Sequence, residues 1–381
     1  MQTKRFEALD GWRGIAALAV AFYHVPIAHP LRDFAGWKNW ELFVDLFFVL
    51  SGFVMMHAWG ARLDGLGAAR EFMTRRFWRI WPLHFAMLLV LFVFELTKAG
   101  IAGFIALPLD GAPFTDNRSW ATLISNIAMT QAMNLHGTTS WNGAAWSISV
   151  EFWTYLVFAI VLLGARCYRS MAFLAVSAFA LGLLALRSGN YLFATHDFGF
   201  LRALYGFFLG AAVYRLASAD RVTIHGGMGL EIGAVAVMLG FLVLTGMNAT
   251  SYLAPIIFAG LILVFSQSAG LISRALESRP IQALGRWSYS IYLVHAVLFY
   301  LAGIALQLGI KFLKLPLIVT GAGGERLFST GSLFADVGVI VVMLGFSVLV
   351  SALTYRLIER PFMAGARAAR LTATERGAAI A

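Results

Sequence analysis

Residues 119–136 read SWATLISNIAMTQAMNLH, and the fold turns on whether this stretch crosses a membrane. It is apolar enough to be considered a span, yet Asn126, Gln131 and Asn134 interrupt it. The chain around it belongs in lipid. Of 381 residues, 60% are hydrophobic and 13% charged, a surface too apolar for a water-soluble globule. A bilayer core takes roughly 20 apolar residues per helix. Besides 119–136, ten stretches approach that length, near 11–28, 42–60, 80–98, 148–164, 169–187, 200–217, 228–246, 251–267, 287–308 and 333–356.

Charge decides the doubtful stretch, because Lys and Arg accumulate on the cytoplasmic side. With the N-terminus inside and 119–136 not crossing, 20 of the 29 basic residues fall on that side. If 119–136 crosses, every later loop flips and only 13 do. The expected architecture is therefore an all-α integral membrane protein, a polytopic bundle of about ten transmembrane helices with both termini cytoplasmic. In it, 119–136 is an interfacial or re-entrant helix within a long outer loop. Residues 1–362 form one domain, and 363–381, rich in Ala and Arg, a short cytoplasmic tail. The first apolar segment lacks a small-residue cleavage site and reads as a retained span.

The net charge of +10 would suggest nucleic acid in a soluble protein. Here it orients the chain and faces anionic lipid, so no nucleic-acid partner is expected. Cys167 is the single cysteine, which excludes an intramolecular disulfide and a multi-cysteine metal site. No pair of His or carboxylate residues recurs at i, i+4 with a third ligand, so no metal is expected.

Ionisable residues inside spans mark function by default. In WRGIAALAVAFYH, residues 12–24, Arg13 and His24 lie about 20° from a common helical face and roughly 16 Å apart along the axis. A fixed cation thus sits near the cytoplasm and a titratable base near the outer half. The plainer reading has Arg13 snorkelling to the interface and bonded to Asp10. In RRFWRIWP, residues 75–82, Arg76 and Arg79 share a face one turn apart, suited to phosphate oxygens or to anchoring at the cytoplasmic surface. Glu151, in WNGAAWSISVEFW (141–153), enters its span from the side of His24 and needs a partner in lipid. His24 is one candidate; Ser147 or Trp146 is another. Asp45, in FVDLFFVLSGFVM (43–55), lies in the outer third and is a second candidate to orient His24. Ser51-Gly52, Gly206 and Gly210 read as notches for close helix packing. In LGRWSYSIYLVH (284–295), Ser288, Tyr292 and His295 fall on one face.

The segments LDGWRGIAALAVAFYH, FFVLSGF, RRFWRIWP, WSISVEFW, LGRWSYSIYLVH and IERPF, in this order from Ala8 to Phe362, resemble the membrane-bound acyltransferase 3 family. The resemblance implies ten spans and transfer of an acyl group, commonly acetyl, from cytoplasmic acyl-coenzyme A to a hydroxyl of a surface or exported glycan. It implies a multi-pass protein of the bacterial cytoplasmic membrane. The family's Arg and His of the first span match Arg13 and His24, its paired arginines match Arg76 and Arg79, and its Trp-Ser-x-Ser-x-Glu segment matches Trp146, Ser147, Ser149 and Glu151. Many members continue with a second acidic residue where this chain has Phe152, which leaves Glu151 as the only carboxylate of that motif.

The expected site therefore has His24, Glu151 and Asp45 as catalytic residues, with His24 the general base and a carboxylate orienting it. Arg13, Arg76, Arg79 and Tyr292 would bind the coenzyme A donor. Direct transfer is preferred over an acyl-enzyme on Ser147 or Ser149. The expected partners are the lipid bilayer, acyl-coenzyme A and a carbohydrate acceptor; the sequence carries no signal for a particular oligomeric state. The competing reading is a proton-coupled transporter or flippase, since buried His, Glu and Asp also build proton relays.

Overall fold

Long apolar helices dominate the computed structural model, which describes residues 5–34, 36–101, 111–218, 227–267, 269–314, 317–320 and 326–365. In chain order they are α1 (Glu7–Tyr23), α2 (Phe43–Trp59), α3 (Leu66–Ile101), α4 (Trp120–Ile127), α5 (Trp146–Gly164), α6 (Arg169–Arg187), α7 (Gly199–Ser218), α8 (Met228–Leu244), α9 (Ala254–Gln267), α10 (Leu271–Leu276), α11 (Arg279–Leu313) and α12 (Leu333–Thr354). Eight helical segments among the described residues are long and apolar enough to cross a membrane: α3, α6, α7 and α11, and α2, α5, α9 and α12 each taken with the turns continuous with it, as Trp37–Trp59, Gly143–Gly164, Ala249–Gln267 and Leu333–Gly365. The chain is a polytopic membrane protein. Helices α1 and α8 are shorter, 17 residues each. Two three-residue strands, β1 (Ile318–Thr320) and β2 (Arg326–Phe328), form an antiparallel pair between α11 and α12. The segment 366–381, most of the expected tail, lies outside the described residues.

The stretch 119–136 holds one helix, α4, of eight residues. At 1.5 Å per residue it is about 12 Å long, short of the roughly 30 Å hydrocarbon core. Ser119 caps its start by accepting from the Thr122 amide, and a positive φ of 53° at Met129 follows its end. The polar residues that interrupt the hydropathy have local uses. Asn126 donates to Thr122 O and Ser140 Oγ, both at 2.8 Å, and Gln131 donates to Ala145 O at 3.1 Å. The stretch is held on α5: Ser149 Oγ and Trp153 Nε1 both donate to Met129 O at 2.8 Å.

Glycine contacts set the two closest helix pairs. A Cβ on Gly52 of α2 would lie 1.8 Å from Phe207 O of α7, and one on Gly210 of α7 1.9 Å from Val49 O of α2. Between α1 and α11, a Cβ on Gly14 would lie 2.6 Å from Gly285 N, and one on Gly285 2.3 Å from Asp10 O. Small residues admit the backbones this closely, as membrane helices require for packing without a hydrophobic drive. Both pairs run parallel. Asp45 meets Arg202 near the start of α2 and α7, and His57 meets Tyr214 near their ends. Gly14 meets Gly285 low on α1 and α11, and the His24 and His295 rings meet ten residues further along both.

Helices α3 and α11 have 36 and 35 residues, well beyond the apolar stretches 80–98 and 287–308. Hydropathy sees only the lipid-crossing part, and the helical extension of α3 toward its N-terminus carries Arg70, Arg75, Arg76 and Arg79. At its far end α12 passes into a π-helical turn, Tyr355–Glu359, which turns Glu359 into the protein at 1% exposure. Such turns recur at functional sites.

Candidate active site: two cavities on one helix pair

Five helices line an inner cavity. Arg13 comes from α1, Ser51 from α2, Arg76 and Arg79 from α3, Ser147, Glu151 and Tyr155 from α5, and Tyr289 and Tyr292 from α11. All four residues expected to bind the donor, Arg13, Arg76, Arg79 and Tyr292, thus line one space, and Glu151 lines it with them. The guanidinium groups differ in their partners. Arg13 donates to Asp10 at 2.8 Å, the bond expected from their i, i+3 spacing. Arg79 is paired with Glu359 of the π-helical turn, whose other oxygen accepts from Ser290. Arg76 makes no salt bridge among the described residues; its guanidinium lies 5.9 Å from the Tyr155 ring, and its Nε is buried without a hydrogen-bond partner. An anion entering this cavity meets three cations, one of them uncommitted to a carboxylate.

His24 lies elsewhere. It lines an outer pocket with Leu91, Asn117, Arg118, Thr139, Asn142 and Tyr300, among others. Its Nδ1 is 2.8 Å from Val20 O; a carbonyl only accepts, so Nδ1 carries the proton and Nε2 is the basic nitrogen. On one side the pocket borders a buried ion network in which Glu95 takes Lys98 at 3.2 Å and Arg118 at 3.1 Å. Beyond Tyr23, which touches the His24 ring, lies an aromatic cluster in which His29 stacks on Phe22 and meets the edge of Trp37. Burial, then the nearby Arg32 guanidinium, push the His29 imidazole below its ordinary pKa, so at neutral pH it is an uncharged member of that cluster.

The structure corrects both carboxylates assigned to orient His24. The Asp45 carboxylate is fully buried and takes a two-pronged grip from Arg202, at 3.0 and 2.7 Å. Glu151 accepts from Ser51 and from Tyr155, the latter at 2.5 Å, inside the inner cavity. Neither touches His24, whose ring neighbours are Tyr23 and, at 5.2 Å between centroids, His295. The serines also separate. Ser149 is fully buried and spends its hydroxyl on the outer loop, while Ser147 faces the inner cavity and donates to Tyr292 Oη at 2.8 Å.

Three residues escaped the sequence reading. Arg202 stood in the apolar run GFLRALYGFF, and a buried guanidinium there demanded a carboxylate, which Asp45 supplies. Tyr155 lies one turn beyond Glu151, at the i+4 spacing its hydrogen bond uses. Ser51, read as part of a packing notch, also donates to Glu151. Gly52 alone makes the notch.

Comparisons with known proteins point one way. A family described as an acyltransferase domain matches residues 6–356. Protein 2 in picA locus of Rhizobium radiobacter is 31% identical over 206 residues, 48% of this chain and 95% of that protein. Acyltransferase MdmB of Streptomyces mycarofaciens is 32% identical over 165 residues, 41% of this chain and 39% of the relative. Peptidoglycan O-acetyltransferase OatA of Listeria monocytogenes is 23% identical over 322 residues, 77% of this chain and 49% of the relative. The chain therefore spans nearly all of the first and half or less of the other two. No solved structure matches it.

Proposed function

Because the chain belongs to the acyltransferase family that matches residues 6–356, a family of acyl-transferring enzymes, we propose that it moves an acyl group, acetyl first among them, from coenzyme A to a glycan hydroxyl. The donor enters the inner cavity from the cytoplasm, its phosphates against Arg76, Arg79 and Arg13. The acceptor lies in the outer pocket, where His24 is the general base. One observation carries the reading: Tyr292 lines the inner cavity, its ring contacts His295 at 5.9 Å, and His295 contacts His24. The His295 ring thus stands between a ring that lines the inner cavity and a ring that lines the outer pocket. Coenzyme A, an anionic nucleotide on a long thin arm ending in a thioester, has the shape to pass from one space to the other. The printed activity of the Listeria relative, O-acetylation of peptidoglycan, supports a carbohydrate acceptor.

In the transfer, the acceptor oxygen attacks the thioester carbonyl as its proton passes to His24 Nε2. The carbon–sulfur bond then breaks, and the proton returns to the departing thiolate. A positioned base of this kind contributes about 10² to 10⁴ in rate. No protein nucleophile is required, and Ser149, buried beneath the outer loop, lines neither cavity.

The reading places ten spans, α1, α2, α3, α5, α6, α7, α8, α9, α11 and α12, in the cytoplasmic membrane of a bacterium, with both termini inside. Helix direction supports it. Parallel α2 and α7 must be separated by an odd number of crossings, which α3, α5 and α6 provide and an added crossing at 119–136 would spoil. With native Cys167, which is exposed, replaced by Ser, cysteines at Thr115 and Ala373 should label oppositely with an impermeant thiol reagent in intact cells. Labelling of both from outside defeats the topology.

The activity itself is tested by reconstitution. Acetyl-coenzyme A should raise the melting temperature of both the wild type and His24→Ala, while acetylation of envelope glycan, followed by mass spectrometry, should fall at least a hundredfold in His24→Ala. Absence of stabilisation by acetyl-coenzyme A, together with substrate counterflow in liposomes, would establish the transporter reading instead.

A further inference from the structure

Arg118 is the one permanently charged side chain in the lining of the outer pocket that it shares with His24. It is buried, at 8% exposure, and bonds through a single nitrogen: Nη1 donates to Glu95 at 3.1 Å and to the Tyr300 hydroxyl. Nε is buried without a partner, and Nη2 makes no hydrogen bond among the described residues. Three of the five guanidinium N–H bonds are therefore unspent. By covalent geometry Nε–H and Nη2 share one edge of the plane, the edge that takes the two oxygens of a carboxylate or phosphate side-on. A buried donor left in this state forfeits the hydration it gave up.

The surrounding chain holds this group in place before any ligand arrives. Glu95, itself fully buried, accepts from Arg118, from Lys98 and from the Phe114 amide at 3.1 Å, which ties the loop to α3. The Tyr300 ring of α11 lies 4.0 Å from the guanidinium carbon. Phe114 has a left-handed φ of 56°, a conformation that a bulky side chain keeps only where its surroundings enforce it; its ring stacks on Trp120 at 4.7 Å. Asn117 and Arg118 line both the outer pocket and a second pocket with Lys98, Thr115 and Asp116. The second pocket also carries the carboxylates of Glu95 and Asp116, whereas the outer pocket carries none. An anion is therefore favoured on the His24 side of Arg118.

We propose that Arg118 is a specificity-determining residue that binds an anionic group, a carboxylate or a phosphate, on the glycan acceptor. The acceptor is then an acidic glycan held at two points, its anionic group on the unspent edge of Arg118 and its reacting hydroxyl at His24. Two-point binding selects among the several hydroxyls of a sugar, because only one at the right separation from the anion is brought to the base. Nη1 keeps Glu95 and Tyr300 throughout, so binding breaks no bond of the resting site.

This inference rests on the transferase reading, and its test separates the two. Matched oligosaccharide acceptors, differing only in whether one sugar carbon bears a neutral hydroxymethyl, a carboxylate or a phosphate group, are offered with acetyl-coenzyme A in proteoliposomes. In the wild type, kcat/KM for an anionic acceptor should exceed that for the neutral one about tenfold to a hundredfold, the range of a hydrogen bond to a charged group. The better of the two anions identifies the source. Arg118→Gln should bring the ratio close to one, and Arg118→Lys, which keeps the charge but not the fork, should lie between. Equal rates on all acceptors in the wild type, or a ratio that survives in Arg118→Gln, would overturn the site. If Arg118→Gln does not fold, the wild-type ratio and the Lys variant decide. Calorimetric titration of the same oligosaccharides without acetyl-coenzyme A stands apart from turnover. Anion-selective binding that the variants weaken upholds the site even where no acyl transfer occurs, and the transferase reading then fails alone; binding without selectivity overturns the site.

Discussion

The inner cavity and the outer pocket share α1 and α11, yet they handle polar atoms in opposite ways. Inside, two of three cations meet a carboxylate: Asp10 holds Arg13 and Glu359 holds Arg79, while Arg76 lies over the ring of Tyr155, whose hydroxyl donates to Glu151. Outside, two imidazoles each spend one nitrogen on a backbone carbonyl and keep the other open. A region suited to an anion holds most of its cations already compensated, since an unpaired charge in lipid is costly, and keeps one uncommitted. A region that moves a proton needs the reverse, a vacant lone pair. On the proposed function, the difference separates binding from chemistry along one pair of helices.

Substitutions should respect that division, and the largest expected effect falls on the pair that belongs to neither side. Asp45→Ala leaves the fully buried Arg202 with only the longer contact to Glu41, at 3.5 Å, as a carboxylate partner, and breaking a buried pair by removing one partner costs about 3–5 kcal/mol. The protein should lose most of its thermal stability, with Arg202→Ala similar. A stable Asp45→Ala enzyme with its activity gone would return Asp45 to the active site. Next is Arg76→Gln. Loss of one charge-assisted bond to phosphate should raise the KM for the donor about tenfold to a hundredfold, with kcat at saturation and acceptor recognition little changed. An unaltered KM would reassign Arg76 to anchoring. Arg79→Gln is the less clean probe, because it also leaves the buried Glu359 without its cation. Smallest is Ser149→Ala, whose hydroxyl only ties down the outer loop. It should cost about 1 kcal/mol of stability and leave the rate within a few fold; a dead but folded Ser149→Ala protein would reopen an acyl-enzyme.

The division also explains what the sequence could and could not reveal. Span positions follow from length and hydropathy, which the bilayer imposes residue by residue. The fate of 119–136 was legible in the charges of distant loops, while the reason its polar residues are tolerated, Ser140 and Ala145 as partners, was not. Helical spacing put Arg76 and Arg79 on one face, and Ser288, Tyr292 and His295 on another. Spacing says nothing about which faces meet. Glu151 and Asp45 were assigned to His24 by depth alone, and depth does not distinguish partners across a bundle. Arg202 was the missing clue: one more intramembrane charge would have claimed Asp45 and left His24 without an acid.

The π-helical turn at Tyr355–Glu359 has a consequence for chain length. A π turn accommodates one residue beyond the α repeat, and each residue advances a helix by about 100°. Glu359 reaches Arg79 and Ser290 only in that phase. A chain one residue shorter between Leu353 and Ile358 would keep its span, its hydropathy and every motif, but would swing this carboxylate a quarter turn or more away from the guanidinium. Insertions and deletions here act on the donor cavity like a point mutation at Arg79, though no residue of the cavity has changed.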